Sequence, residues 1–270
     1  MRFIMEFSAF TFNLLLPLSG FAVGLLVGLT GVGGGSLMTP LLILLFGFKP
    51  ATAVGTDLLY AALTKSGGSW VHHRHGNVDW ALAGRLALGS VPAAGLTLLL
   101  LARLDVQGQG GAELISLGLG IALLLTSASL IFRRRLLDLA RRRSANAGFL
   151  QRHVAGLTVA VGALVGVLVT ISSVGAGALG VTALTFLYPN LATRRLVGSD
   201  IAHAVPLTLV AGFGHWWLGT VDVVLLAALL VGSLPGIALG GHFAARVPER
   251  ALRGLLASVL LLIGGKLILA

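Results

Sequence analysis

The chain contains no cysteine, which excludes disulfides and thiolate metal sites. Charge is also scarce: only 10% of the 270 residues are Asp, Glu, Lys or Arg, against about 25% in soluble domains. With 56% hydrophobic residues and a mean hydropathy of +0.98, a soluble fold is excluded. Acidic residues number 9 against 19 basic ones, a net charge of +10. In a soluble protein that balance would point to nucleic acid. Here the positives gather between apolar runs, so membrane topology accounts for them better than a nucleic-acid partner does. No small-residue cleavage pattern follows the first apolar stretch, which therefore reads as a retained helix and not a signal peptide. No polar stretch is long enough to house a soluble domain.

What is present is a series of apolar segments, at about 10–30, 35–46, 51–71, 80–103, 112–132, 154–172, 177–188, 195–213, 223–245 and 251–269. Most are of bilayer length, which predicts an all-α polytopic membrane protein surrounded by lipid. The second and seventh are too short to span comfortably, and crossing or re-entry stays open for both. The polar connection 133–153 divides the ten into five and five. The expected organisation is one membrane transport domain, 1–270: a first repeat over 7–132, a basic connection over 133–153 and a second repeat over 154–270.

The halves can be superposed as sequences. At a constant offset of 143, GTD (55–57) faces GSD (198–200), His72 faces His215, GNVD (76–79) faces GTVD (219–222), and GSVP (89–92) faces GSLP (232–235). At an offset of 142, VGGGSL (32–37) faces VGAGAL (174–179). The connection carries seven arginines and is expected in the cytoplasm, together with Arg74, Arg85, Arg194, Arg195, Arg246, Arg250 and Arg253. Both termini are then expected outside. An odd number of crossings per copy inverts one repeat relative to the other, the architecture of secondary transporters whose interrupted helices meet at a midplane site.

Four glycines in positions 31–35 should break a helix. No GK[ST] follows them and no strand precedes them, so a nucleotide loop is excluded by context. Irregular backbone at membrane depth survives only where protein or water surrounds it. The helices resuming at Ser36 and at Ala178 would point free amides and a positive dipole end into such a cavity, a setting that binds an anion without a basic side chain. Asp57 and Asp200, one per copy, have two readings. They cap a helix starting at Thr56 or Asp57, or they lie about 9 Å inside the segment at 1.5 Å per residue and serve a cavity, as coupling acids or cation ligands. His203, one turn after Asp200, faces Tyr60 in the other copy and forms a candidate Asp/His pair. Lys65 either snorkels to the cytoplasmic surface or supplies positive charge to an anion path. His72, His73 and His75 have no carboxylate at metal-site spacing beyond Asp79 and read as interfacial. Trp70, Trp80, Trp216 and Trp217 bracket the same ends, as an aromatic belt does.

These motifs in this order, GVGGGSLMTP, AVGTDLL, the HxxxGNVDW of 72–80 and GSVPAAG, with the weaker second copy, resemble the TauE/SafE sulfite-exporter family. The resemblance implies an inner-membrane carrier exporting sulfite or a small organosulfonate such as sulfoacetate, without a bound cofactor. Its pattern marks Gly33, Gly34, Gly35, Gly55, Thr56, Gly76, Asn77, Asp79 and Pro92, and in the second copy Gly175, Gly177, Gly198 and Asp200. In one departure, many members have serine where this chain has Asp57 and Asp200, and a charged acid there would repel an anion unless protonated. The expected substrate contacts are Gly33, Gly34, Gly35, Ser36, Thr56, Ser173, Gly175, Gly177 and Ser199. Proton or sodium coupling is expected at Asp57, Asp200 and His203, with Lys65, His72, Asn77 and His215 as secondary candidates. The reading allows a homodimer and includes no metal. The rival class is an intramembrane hydrolase using Ser36 or Ser173 with His203; neither serine has a nucleophile-elbow setting. A purely structural membrane role is the other alternative.

Overall fold

A computed structural model of the chain describes residues 2–30, 35–104, 106, 108–133, 135–136, 138–139, 148–243 and 249–269. Among them are ten helices and no strand: α1 (Arg2–Thr30), α2 (Gly35–Leu44), α3 (Pro50–Arg74), α4 (Trp80–Arg103), α5 (Gln109–Ile131), α6 (Gly148–Ser172), α7 (Ala178–Leu187), α8 (Thr193–Trp217), α9 (Val223–Phe243) and α10 (Glu249–Leu269). Each corresponds to one expected apolar segment. Among the described residues, five stretches are long and apolar enough to cross a membrane: Trp80–Arg103, Gly110–Ile131, Arg152–Ser172, Thr193–Trp217 and Val223–Phe243. The chain is a multi-pass, all-helical membrane protein. α2 and α7 have 10 residues each, about 15 Å at 1.5 Å per residue, half the thickness of a hydrocarbon core.

Local sequence explains where these helices begin and end. Pro50 opens α3, where its missing N–H costs nothing. At the far end, Gly76 adopts φ +66°, which lets the chain leave α3 in a left-handed turn. Asp79 then caps α4 by accepting from the Leu82 amide at 3.1 Å. The other half repeats the device: Gly219 at φ +71° ends the turn after α8, and Asp222 accepts from the Leu225 amide at 2.9 Å to begin α9.

The most extensive helix interfaces are α1 with α9 and α4 with α6, followed by α3 with α8 and α5 with α10. All four join one half of the chain to the other. The first two depend on glycine. A Cβ added at Gly232 of α9 would lie 1.8 Å from the Pro17 carbonyl oxygen, and one at Gly89 of α4 would lie 1.9 Å from that of Val159. These are matching places in the two copies, and at each the backbones approach with no side chain between them. α3 and α8 occupy the centre: Val54, Leu58, Tyr60 and Ala61 of α3 and Leu207 and Ala211 of α8 are fully buried. The outer faces of α4 and α9 expose Leu88, Leu96 and Leu99, and Val224, Val231 and Leu234, an apolar surface suited to lipid. Trp70, Trp80, Trp216 and Trp217 are all more than half exposed; the first two lie at the end of α3 and the start of α4, the others at the end of α8, the opposite end of the α3–α8 pair. Arg74 lies over the Trp70 ring at 4.3 Å.

Candidate functional site

The second helix break is described in full. α6 ends at Ser172, and the five residues 173–177 turn the chain before α7 resumes at Ala178. Three of them have positive φ: Ser173 at 59°, Gly175 at 125° and Gly177 at 122°. The last two values are strained for any residue with a Cβ, so the VGAG sequence is a conformational requirement. Gly177 stands at the N-cap of α7 without a side-chain cap, and the first amides of a helix have no partner within it. In the first copy, Gly33 and Gly34 lie outside the described residues, as does the side chain of Ser36; the backbone of Gly35 opens α2.

The polar groups meet beside this break. Asp57 and Asp200 sit in the interiors of α3 and α8, seven residues beyond each helix start, and both are buried. The capping alternative for Asp57 is thereby overturned, because α3 begins at Pro50 and not at Thr56. The Thr39 hydroxyl of α2 donates to Asp57 Oδ2, while Oδ1 has no partner. Asp200 lies against the first turn of α7: a methyl at Gly180 would come within 2.1 Å of its Oδ1. Both Asp200 oxygens are buried without a hydrogen bond of normal geometry, although the Gly177 amide interacts with the carboxylate. Ser173 Oγ, also buried, interacts with the Asp57 carboxylate without closing a hydrogen bond of normal geometry.

Lys65 does not snorkel. It is 6% exposed, and its ammonium interacts electrostatically with Asp200 and with Asp57. Its stem belongs to α3, two turns beyond Asp57. His203 Nδ1 is 4.0 Å from Asp200 Oδ1, and its Nε2 is bonded to Ser90 Oγ of α4 at 2.8 Å. Across the pseudo-repeat, Tyr60 faces Ser233 without closing a hydrogen bond. Thus the serines of GSVP and GSLP each meet the residue three positions past an aspartate of the opposite copy.

Ser90, His203 and Asp200 have the residue types of a hydrolase triad, but the geometry does not match one. A separation of 4.0 Å is not a hydrogen bond, and Ser90 is fully buried inside a helix with its neighbours' amides committed to that helix. Ser173 makes no hydrogen bond with His203. Among the described residues no group of three His, Asp or Glu is placed to hold a metal ion.

Other expected contacts have different tasks. The Thr56 hydroxyl accepts from the Asp222 amide at 3.0 Å, and the Ser199 hydroxyl accepts from the Asp79 amide at 2.8 Å while donating to the Arg195 carbonyl. Each therefore anchors the turn of the opposite copy. His215 is fully buried; its Nε2–H donates to the Thr170 carbonyl at 3.0 Å, so its Nδ1 accepts from the Thr220 hydroxyl at 2.9 Å. That is a structural knot. His72 is half-buried near Gly198, and the Asn77 carbonyl packs on the same glycine. Sequence reasoning missed Thr39, Ser90 and Gly180. The paired serines of GSVP and GSLP were a usable signal for Ser90; nothing local distinguished the other two. A separate small, partly open recess lies along α7, lined by Arg133, Leu136, Thr182, Thr185 and Phe186.

The family described as sulfite exporter TauE/SafE matches residues 16–267. The "Probable membrane transporter protein YjnA" of Bacillus subtilis (strain 168) is 41% identical over 253 residues, covering 93% of this chain and 98% of that protein. The "Probable membrane transporter protein YdhB" of the same strain is 30% identical over 244 residues, covering 89% and 94%. No solved structure matches the chain. With a match that runs from α1 to α10, the chain belongs to the sulfite exporter TauE/SafE family and is a membrane transporter.

Proposed function

We propose that this transporter moves a small sulfur-containing anion, sulfite or an organosulfonate such as sulfoacetate, out across the cytoplasmic membrane by alternating access. The observation that carries the reading is the unwound segment 173–177, which brings the first turn of α7 together with buried Ser173, Asp200 and Lys65. The helix end and the ammonium supply positive potential in a site screened from water, which is what a small anion requires at membrane depth. The family name supports sulfite as the substrate type. The two copies are read as inverted repeats with the 133–153 connection in the cytoplasm and both termini outside. The reciprocal packing of α1 on α9 and α4 on α6 supports that relation. An inside-negative potential assists anion export by about 2.3 kcal/mol per charge per 100 mV. Asp57 and Asp200 are the coupling acids of this reading.

Counterflow in proteoliposomes tests it, with radiolabelled sulfite, sulfate, thiosulfate, sulfoacetate and taurine, at two pH values and with or without Na⁺. Exchange of at least one sulfur anion above empty vesicles is expected. No exchange by correctly folded protein would remove the substrate class. Lys65→Met should lower the exchange about tenfold or more, the equivalent of about 1.4 kcal/mol of lost anion stabilisation. Unchanged exchange in that variant would take Lys65 out of the site.

A further inference from the structure

The second break has a feature that simple anion capture leaves unexplained: its positive helix end already faces an anion of the protein itself. Asp200 is 1% exposed, and its carboxylate is pressed so closely on the first turn of α7 that position 180 has room only for glycine. Its placement is that of a ligand, yet both oxygens lack a hydrogen bond of normal geometry. Ser173, 2% exposed and in the same unwound segment, interacts with Asp57 without a hydrogen bond of normal geometry. Lys65 attracts Asp200 and Asp57 without an ion pair to either within 4.0 Å. A buried carboxylate with two open oxygens, a buried hydroxyl with no well-formed bond and an ammonium in no close ion pair are groups arranged for an additional occupant.

We propose that Asp200 is a tethered stand-in for the transported anion: its carboxylate holds the seat on the first turn of α7 in the empty protein, and substrate enters when Asp200 takes up a proton and gives up that seat. The inference rests on the transporter reading above and adds to it a coupling rule. Each anion bound takes one proton from solution onto the Asp200 carboxyl, and each anion released returns it. The seat alternates between the protein's carboxylate and the substrate's oxyanion, so for a singly charged anion such as hydrogensulfite the local charge beside Lys65 is the same in both states, and for a dianion it changes by one unit. Lys65 already faces Asp57 and Asp200, and protonation of Asp200 spares the bound anion the repulsion of that nearer carboxylate, which a carboxylate fixed permanently at this place could not do.

The groups facing Asp200 limit which of them can carry this proton. α3 contributes Lys65, with Asp57 held by Thr39. Its own helix contributes His203, 4.0 Å away. α4 contributes Ser90, bonded to His203, and farther along Arg85, whose guanidinium donates to the Tyr188 hydroxyl. α7 has no titratable residue, and Arg152 and His153 of α6 lie at the opposite end of that helix from the break.

The test measures anion binding to purified protein between about pH 5.5 and 8.5, using whichever of sulfite, sulfate, thiosulfate and sulfoacetate the wild type exchanges fastest. Titration of the free anion is subtracted from a protein-free control. The apparent Kd of the wild type should weaken about tenfold per pH unit on the alkaline side, with one proton taken up per anion. Asp200→Asn should bind with a Kd independent of pH, near the acid-limit value of the wild type, and should take up no proton. A retained pH slope in Asp200→Asn, or anion binding by the wild type without proton uptake, would overturn the inference and leave the transporter reading intact. Failure of every anion to exchange in the wild type would instead remove the transporter reading and this inference with it. If Asp200→Asn does not fold, the proton count on the unmodified protein decides.

Discussion

The same turn closes the chain after α3 and after α8, and the two versions are finished differently. After α8, the Gly219 amide bonds to the Trp216 carbonyl and the Thr220 amide to that of His215; after α3, the Gly76 amide bonds to the His73 carbonyl and the Asn77 amide to that of His72. The backbone course is thus shared. In the second copy, His215 is fully buried and uses both ring nitrogens, and Thr220 packs on Gly55 of the opposite copy. In the first, Asn77 replaces the threonine, and the Nδ1 of His72 is buried without a partner 3.0 Å from where a Cβ on Gly198 would stand. Charge replaces hydrogen bonds at its edge, where Arg195 lies 3.9 Å from Asp79. One motif has been built as a sealed knot and as a looser, more polar one, so duplication preserved the backbone while the side chains diverged.

Removing the sealed knot should have the largest effect. His215→Ala orphans the buried Thr170 carbonyl and leaves the Thr220 hydroxyl only its bond to the carbonyl of residue 215, at a cost of about 2–3 kcal/mol, whereas His72→Ala should change stability by no more than about 0.5 kcal/mol. Thermal unfolding in detergent reads both, and equal losses would show that the two knots are energetically alike. The opposite manipulation is Asn77→Thr, which gives the first copy the hydroxyl of the second. With His72 able to bond it as His215 bonds Thr220, the variant should be more stable by about 1 kcal/mol; a destabilised Asn77→Thr would mean that the looser knot has its own optimum. Arg195→Ala should matter least, below about 1 kcal/mol, because the pair with Asp79 is partly exposed on both sides, 47% and 29%. A larger loss would make that pair part of the closure.

The sequence carried the helices and the repeat more fully than it carried the site. Hydropathy is a local property, so ten apolar segments became ten helices, and the strength of the GNVD and GTVD correspondence came from a turn whose glycine and cap are also local. In the sequence Thr56 and Ser199 stand beside the aspartates. Their hydroxyls reach 166 and 120 residues along the chain to hold a turn of the other copy, a relation no window can contain. Gly180 reads as one more helix glycine until the Asp200 carboxylate is found against it. Lys65 is the instructive case: its long stem made the water interface the easier destination, and the protein places two buried carboxylates where they draw it inward.

The glycine contacts that join α1 to α9 and α4 to α6 have a mechanical consequence. Where one backbone rests directly on another there is no side chain to swivel and take up slack, so each pair transmits displacement as a single body. α1 comes from the first copy and α9 from the second; α4 and α6 are divided in the same way. Under the alternating access proposed above, the units that would rock against one another are then not the two halves written in the sequence. They are composites, each with one wall from either copy.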